Sequence, residues 1–136
     1  MVQPHNLVAL ITIVALLVYL GTALNVAGVR RRHGVAPPAM TGAPEVERAL
    51  RVQSNTLEWL AMFLPALWIF AIYWSDYVAA GLGLVWIVGR LLYWFGYMKE
   101  AKARYPGFGI QTAATFILMI GALVGAVRAL LVTGGV

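Results

Sequence analysis

Two short sets of polar residues interrupt an otherwise apolar chain of 136 residues. Arg51, Asn55 and Glu58 recur at i, i+4 and i+7, and Arg90, Tyr93 and Tyr97 at i, i+3 and i+7. On a helix, each set falls on one face. Arg104 follows the second set in a basic stretch. Together these residues offer cations, amide donors, one carboxylate and two phenols. Such a set suits a small zwitterionic ligand with several carboxylates. Arginine forks grip carboxylates bidentately, and Glu58 is placed to receive an ammonium group. The alternative is that Arg51 and Arg90 snorkel, Glu58 pairs with one of them, and the tyrosines belong to an interfacial belt.

Other chemistries lack their residues. The chain has no cysteine, so disulfides, a cysteine nucleophile and a thiolate metal site are excluded. Any thiol chemistry must use a thiol that a ligand brings. His5 and His33 are isolated and show no metal-ligand spacing, so no metal is expected. The sequence contains no Gly-rich phosphate loop, catalytic triad or paired carboxylates. The net charge is +5, but the basic residues cluster as topology requires, and nucleic acid is not an expected partner.

The elements that must position these residues are membrane-type helices. Hydrophobic residues make up 62% of the chain and charged residues only 11%, which is too apolar for a soluble protein of one domain. Four apolar segments predict an all-α, integral membrane four-helix bundle, with helices over about residues 7–29, 44–73, 77–103 and 110–132. The N-terminal flank MVQPHN lacks a basic region and no cleavage site follows, which reads as a retained first helix. Pro44 fits the first turn of the second helix, and Pro65 is expected to bend it. Pro106-Gly107 punctuates a third loop, KEAKARYPGFG, and Gly121, Gly125 and Ala129 suit close helix packing. Arg30, Arg31, Arg32, Arg48 and Arg51 border the first loop, and Lys99, Lys102 and Arg104 lie in the third. Arg128 alone stands toward the other side and reads as a snorkelling terminal residue. The positive-inside rule therefore places both basic loops, and the polar stripes beside them, on the cytoplasmic side.

At these residues the chain resembles the MAPEG family, the membrane-associated proteins of eicosanoid and glutathione metabolism. PPAMTGAPEVERALRVQSNTLE carries an E-R-x-x-R-x-x-x-N-x-x-E pattern as Glu47, Arg48, Arg51, Asn55 and Glu58. GRLLYWFGYMKEAKAR carries an R-x-x-Y-x-x-x-Y segment with Arg104 downstream. The spacing is most similar to the leukotriene C synthase and microsomal glutathione transferase branch.

The resemblance implies a homotrimer with glutathione bound between subunits, and a lipophilic electrophile arriving from the membrane lipid. It implies that Arg51, Asn55, Glu58, Tyr93 and Tyr97, with Arg90 in the same stripe, hold glutathione. Arg30 and Gln53 would reach it from the neighbouring subunit. Arg104 matches the arginine that stabilises the thiolate. Glutathione-dependent reduction of lipid hydroperoxides is the neighbouring activity. Two positions depart from family patterns. Trp59 stands where the leukotriene branch has tyrosine, and Ser54 where the prostaglandin E synthase branch has arginine. The competing readings are a non-catalytic lipid-binding scaffold of the same family and a small four-helix exporter. The exporter needs a glutamate in its first helix, and none is present there.

Overall fold

The computed structural model describes residues 5–134; residues 1–4 of the N-terminal flank, and 135–136, lie outside it. The fold is all-helical. α1 spans Asn6–His33, α2 Pro44–Tyr73, α3 Asp76–Lys99 and α4 Tyr105–Thr133, with a 3-10 turn over Ala101–Arg104. All four helices are long and apolar enough to cross a membrane. In their most apolar stretches, α2 and α3 bury 39% and 44% of residues, against 22% for α1 and for the segment containing α4. α2 and α3 are therefore the inner pair. α1 and α4 present Leu10, Leu17, Leu24, Ile120 and Leu123 outward, the surface that hydrocarbon would cover.

Local chemistry sets the ends. α1 outlasts its apolar run by one turn, through Arg30, Arg31, Arg32 and His33, because helix formation stops where a backbone breaker occurs rather than where hydrophobicity ends. Gly34 supplies the stop, with φ of 65°, a left-handed conformation that glycine adopts without steric cost. The cations of that last turn also suit the negative end of the helix dipole. Ser75 caps α3, its hydroxyl accepting from the Val78 N–H at 3.2 Å. Pro44 occupies the first turn of α2, and the helix continues through Pro65.

The third connection differs from its sequence reading. The pattern predicts α3 to about Ala103, a loop, and a last helix from about Ile110. Instead α3 ends at Lys99, Glu100 alone is extended, and α4 begins at Tyr105. Pro106 does not break α4, because the first turn needs no N–H donor from it. Gly107 is not a loop glycine either. A Cβ there would collide with the Tyr93 backbone nitrogen and lie 2.5 Å from the Gly89 carbonyl oxygen. A Cβ on Gly89 would lie 2.7 Å from the Gln111 nitrogen. These two glycines let the backbones of α3 and α4 touch.

The core between the inner helices is aromatic: Phe63 of α2 stacks on Trp86 of α3 with ring centroids 4.1 Å apart. α1 is tied on by the Trp68 indole, which donates to Thr12 Oγ1 at 2.9 Å. Near the α1 end, Asn25 reaches Met98 of α3, and near its start His5 lies 3.3 Å from Asp76. The helices thus alternate in direction, and the late part of α1, the start of α2, the end of α3 and the start of α4 share one end of the bundle.

Gly107→Ala is expected to destabilise the protein by about 1–3 kcal/mol, since overpacking against backbone has no side chain to displace. Gly109→Ala, where a Cβ would meet nothing within 4 Å, is the control and should be near neutral. Thermal unfolding of both variants in detergent gives the comparison. Equal midpoints would remove the close α3–α4 contact from the account.

Candidate functional site

At the shared end, α2, α3 and α4 enclose a cavity of about 310 Å³. This lies within the range of about 300–1,000 Å³ typical of small-molecule sites. Arg51, Asn55 and Glu58 come from one face of α2, Tyr93 and Tyr97 from α3, and Arg104 from the 3-10 turn. The Arg104 guanidinium lies 5.1 Å from the Tyr97 ring centroid and 4.4 Å from that of Tyr105. It also donates to the Ala101 carbonyl, and to Tyr105 Oη at 3.1 Å. These contacts fix a cation at the rim. The ion pairs among the described residues are His5–Asp76, Arg32–Glu45 and His33–Glu45. Glu58, Arg51 and Arg104 are therefore uncommitted to one another. Arg51 and Glu58 are exposed, so the cavity has three helical walls and one open side.

Arg90 belongs to the wall behind the cavity. It is 1% exposed and is absent from the cavity lining. Its Nη1 and Nη2 both donate to Asn55 Oδ1, at 3.0 and 2.9 Å, and its guanidinium lies 4.1 Å from the Tyr93 ring centroid. With Oδ1 committed to two cationic donors, the amide group Nδ2 is what Asn55 has left to offer a ligand. The snorkelling alternative for Arg90 does not hold, because its head group is buried against α2.

Residues 8–124 of the chain match the MAPEG family. The chain belongs to that family. It is 51% identical to Uncharacterized protein sll1147 of Synechocystis sp. over 115 residues, covering 85% of this chain and 84% of that protein. It is 42% identical to human Microsomal glutathione S-transferase 2 over 102 residues, covering 74% and 69% of the two chains. It is 36% identical to Leukotriene C4 synthase of Cavia porcellus over 119 residues, covering 88% and 79%.

Within this MAPEG chain, the residues singled out from sequence fall into two groups. Arg51, Asn55, Glu58, Tyr93, Tyr97 and Arg104 meet at one cavity. Arg30, Gln53 and Arg90 do not line it. Arg30 instead donates to the carbonyls of Val35 and Ala39, at 3.3 and 2.6 Å, bracing the first loop. Gln53 sits half-buried on a different face of α2. Trp59 stays out of the lining too, and packs edge-on against Phe108 with centroids 5.4 Å apart.

Three lining residues were not among the sequence candidates: Ser54, Tyr105 and Phe108. Tyr105 and Phe108 were hidden by reading a loop where α4 begins. With α4 beginning at Tyr105, Arg104 and Phe108 are i and i+4, a spacing that points to Phe108.

Replacing Arg90 with leucine leaves Asn55 Oδ1 without its donors and should cost at least about 1–3 kcal/mol. Asn55→Asp keeps an oxygen for both guanidinium nitrogens and should be much better tolerated. Thermal midpoints in detergent test this. A more stable Arg90→Leu than Asn55→Asp would contradict the arrangement.

Proposed function

We propose that this protein is a membrane-bound glutathione transferase that activates the glutathione thiol for attack on lipophilic electrophiles. The observation that carries the reading is the cavity itself. It gathers two arginines and one carboxylate that form no ion pair among the described residues, with an amide donor and three phenols, yet holds no nucleophile of the cysteine type. A peptide with two carboxylates, one ammonium group and its own thiol matches both the offer and the lack. The glutathione S-transferase and leukotriene C4 synthase names of two relatives support the same ligand.

In this reading Arg51 and the Asn55 amide receive carboxylate or carbonyl oxygens of glutathione, Glu58 takes its ammonium group, and Tyr93 and Tyr97 add hydroxyl contacts. Arg90 acts through Asn55 rather than on the ligand. Arg104 is the catalytic residue. A free thiol has a pKa of about 8.5, and an adjacent guanidinium lowers it, so more thiolate exists at neutral pH. The thiolate then forms a carbon–sulfur bond with an electrophilic carbon, as a leaving group departs, an epoxide C–O bond opens or a conjugated double bond yields its electron pair, and the resulting anion takes up a proton. Reduction of lipid hydroperoxides needs the same thiolate, with a second glutathione closing the disulfide.

The open side of the cavity supports a site completed by a second subunit of a homotrimer. Arg30 and Gln53, which do not line this chain's own cavity, are the residues we assign to the neighbour's site. The bundle end with Arg30, Arg31, Arg32, Lys99, Lys102 and Arg104 is the cytoplasmic one by the positive-inside rule, and the lipophilic substrate enters from the bilayer between helices.

The deciding experiment is the ultraviolet thiolate difference spectrum on adding glutathione to the purified protein at neutral pH. A thiolate band is expected for the parent chain and should be lost in Arg104→Ala, which keeps most of its glutathione affinity. Arg51→Ala should do the reverse, weakening binding roughly tenfold or more while leaving the band at saturation. Binding without a band in the parent would point to a binding protein, and no binding at all would point to a lipid scaffold. Asn55→Asp should also lose roughly tenfold in glutathione affinity despite its intact pairing with Arg90, because an oxygen replaces the donor.

A further inference from the structure

The opposite end of the bundle carries one cation that the glutathione reading does not use. Arg128 of α4 has no acidic partner among the described residues. Its guanidinium lies 5.4 Å from the Trp74 ring centroid. Trp74 is itself held in place: its indole N–H donates to the Gly121 carbonyl at 2.7 Å. A Cβ on Gly125 would come within 2.7 Å of both Trp74 Nε1 and Tyr73 Cβ. Two glycines of α4 thus seat an aromatic platform, and Arg128 sits over it.

Two surfaces meet at this arginine. One, a niche of about 320 Å³, is lined by Tyr73, Gly125, Arg128, Ala129, Val132 and Thr133. The other is an open apolar face of α4 alone, on which Arg128 is joined by Leu123, Val124, Val127, Leu131 and Val132. A niche with hydroxyls and a guanidinium, sharing Arg128 and Val132 with an aliphatic helix face, has the polarity profile of a phospholipid.

Depth agrees. Arg128 lies 24 residues beyond Arg104 on a nearly continuous helix, roughly 36 Å along its axis. A hydrocarbon core of about 30 Å fits between them, and the full bilayer with headgroups measures about 40–45 Å. With Arg104 at one interface, Arg128 reaches the phosphates of the other leaflet without snorkelling.

We propose that this end of the bundle binds an anionic phospholipid, with its phosphate on the Arg128 guanidinium and an acyl chain along the apolar face of α4. The guanidinium fork matches two phosphate oxygens. Among the described residues no carboxylate lines this niche or the adjoining face to receive the ammonium group of a zwitterionic headgroup, so the site favours lipids of net negative charge. This assignment is independent of the glutathione reading, since it concerns other residues at the far end.

Native mass spectrometry of the detergent-purified protein, equilibrated with equimolar phosphatidylglycerol and phosphatidylcholine, tests it. The parent chain should carry one more phosphatidylglycerol per protomer than Arg128→Gln, whose apparent affinity at this site should fall roughly tenfold. Arg128→Lys should retain part of the binding. Val127→Trp, which puts a bulky ring on that helix face and leaves the cation, should also weaken lipid binding. Thermal midpoints near the parent's show that the variants are folded. Equal phosphatidylglycerol counts in the parent and Arg128→Gln overturn the proposal. So does displacement of the lipid by an equal concentration of glycerol 3-phosphate, which would make the ligand a soluble phosphate.

Discussion

A guanidinium buried inside four apolar helices has to be answered by other groups, and in this chain Asn55 answers Arg90. Placing a charge at membrane depth costs roughly 2.5–3.5 kcal/mol on insertion scales, and the cost is offset only by close, well-aimed partners. Two guanidinium nitrogens on one amide oxygen, with the Tyr93 ring against the cation, supply those partners. This pairing locks α2 to α3 at one height. It therefore also fixes Arg51 and Glu58, one turn to either side of Asn55, opposite Tyr93 and Tyr97. The α2 and α3 sides of the cavity thus follow from satisfying that one buried charge.

The remaining wall depends on a different kind of constraint. α4 approaches α3 until only glycine fits at positions 89 and 107, so the backbone itself sets the separation. That contact holds the start of α4 rigidly beside the end of α3. Arg104, Tyr105 and Phe108 are brought onto the cavity by packing and need no ion pair to hold them. The arginine at the rim keeps its full charge available for a ligand.

Much of this was legible beforehand, and the limits have physical causes. Helix-period spacing put Arg51, Asn55 and Glu58 on one face, and the structure brings them to one cavity with Tyr93 and Tyr97. Arg90 has the same spacing as the tyrosines, so periodicity grouped it with them. Only tertiary packing shows that its long side chain reaches across to α2 instead. The ends of helices were misjudged wherever composition and backbone disagreed. Three arginines ended the apolar run of α1 but not the helix, and Pro106-Gly107 looked like a turn while serving as a helix start and a packing contact. Ser54 has no signature of its own, because a residue becomes lining only through what stands opposite it, and Tyr105 and Phe108 are masked by the turn-like Pro106-Gly107 between them.

The brevity of the α3–α4 connection has a further consequence. A single extended residue, Glu100, separates α3 from the turn that carries Arg104. Each residue inserted there would add up to about 3.8 Å of chain between α3 and that turn. Arg104 would swing off the Tyr97 ring, while the glycine contact resisted any compensating shift. The first loop, between Gly34 and Ala43, has no such spacing to keep. Length variation can thus accumulate in one connection of this protein and is barred from the other, so the two loops are expected to tolerate insertions very differently.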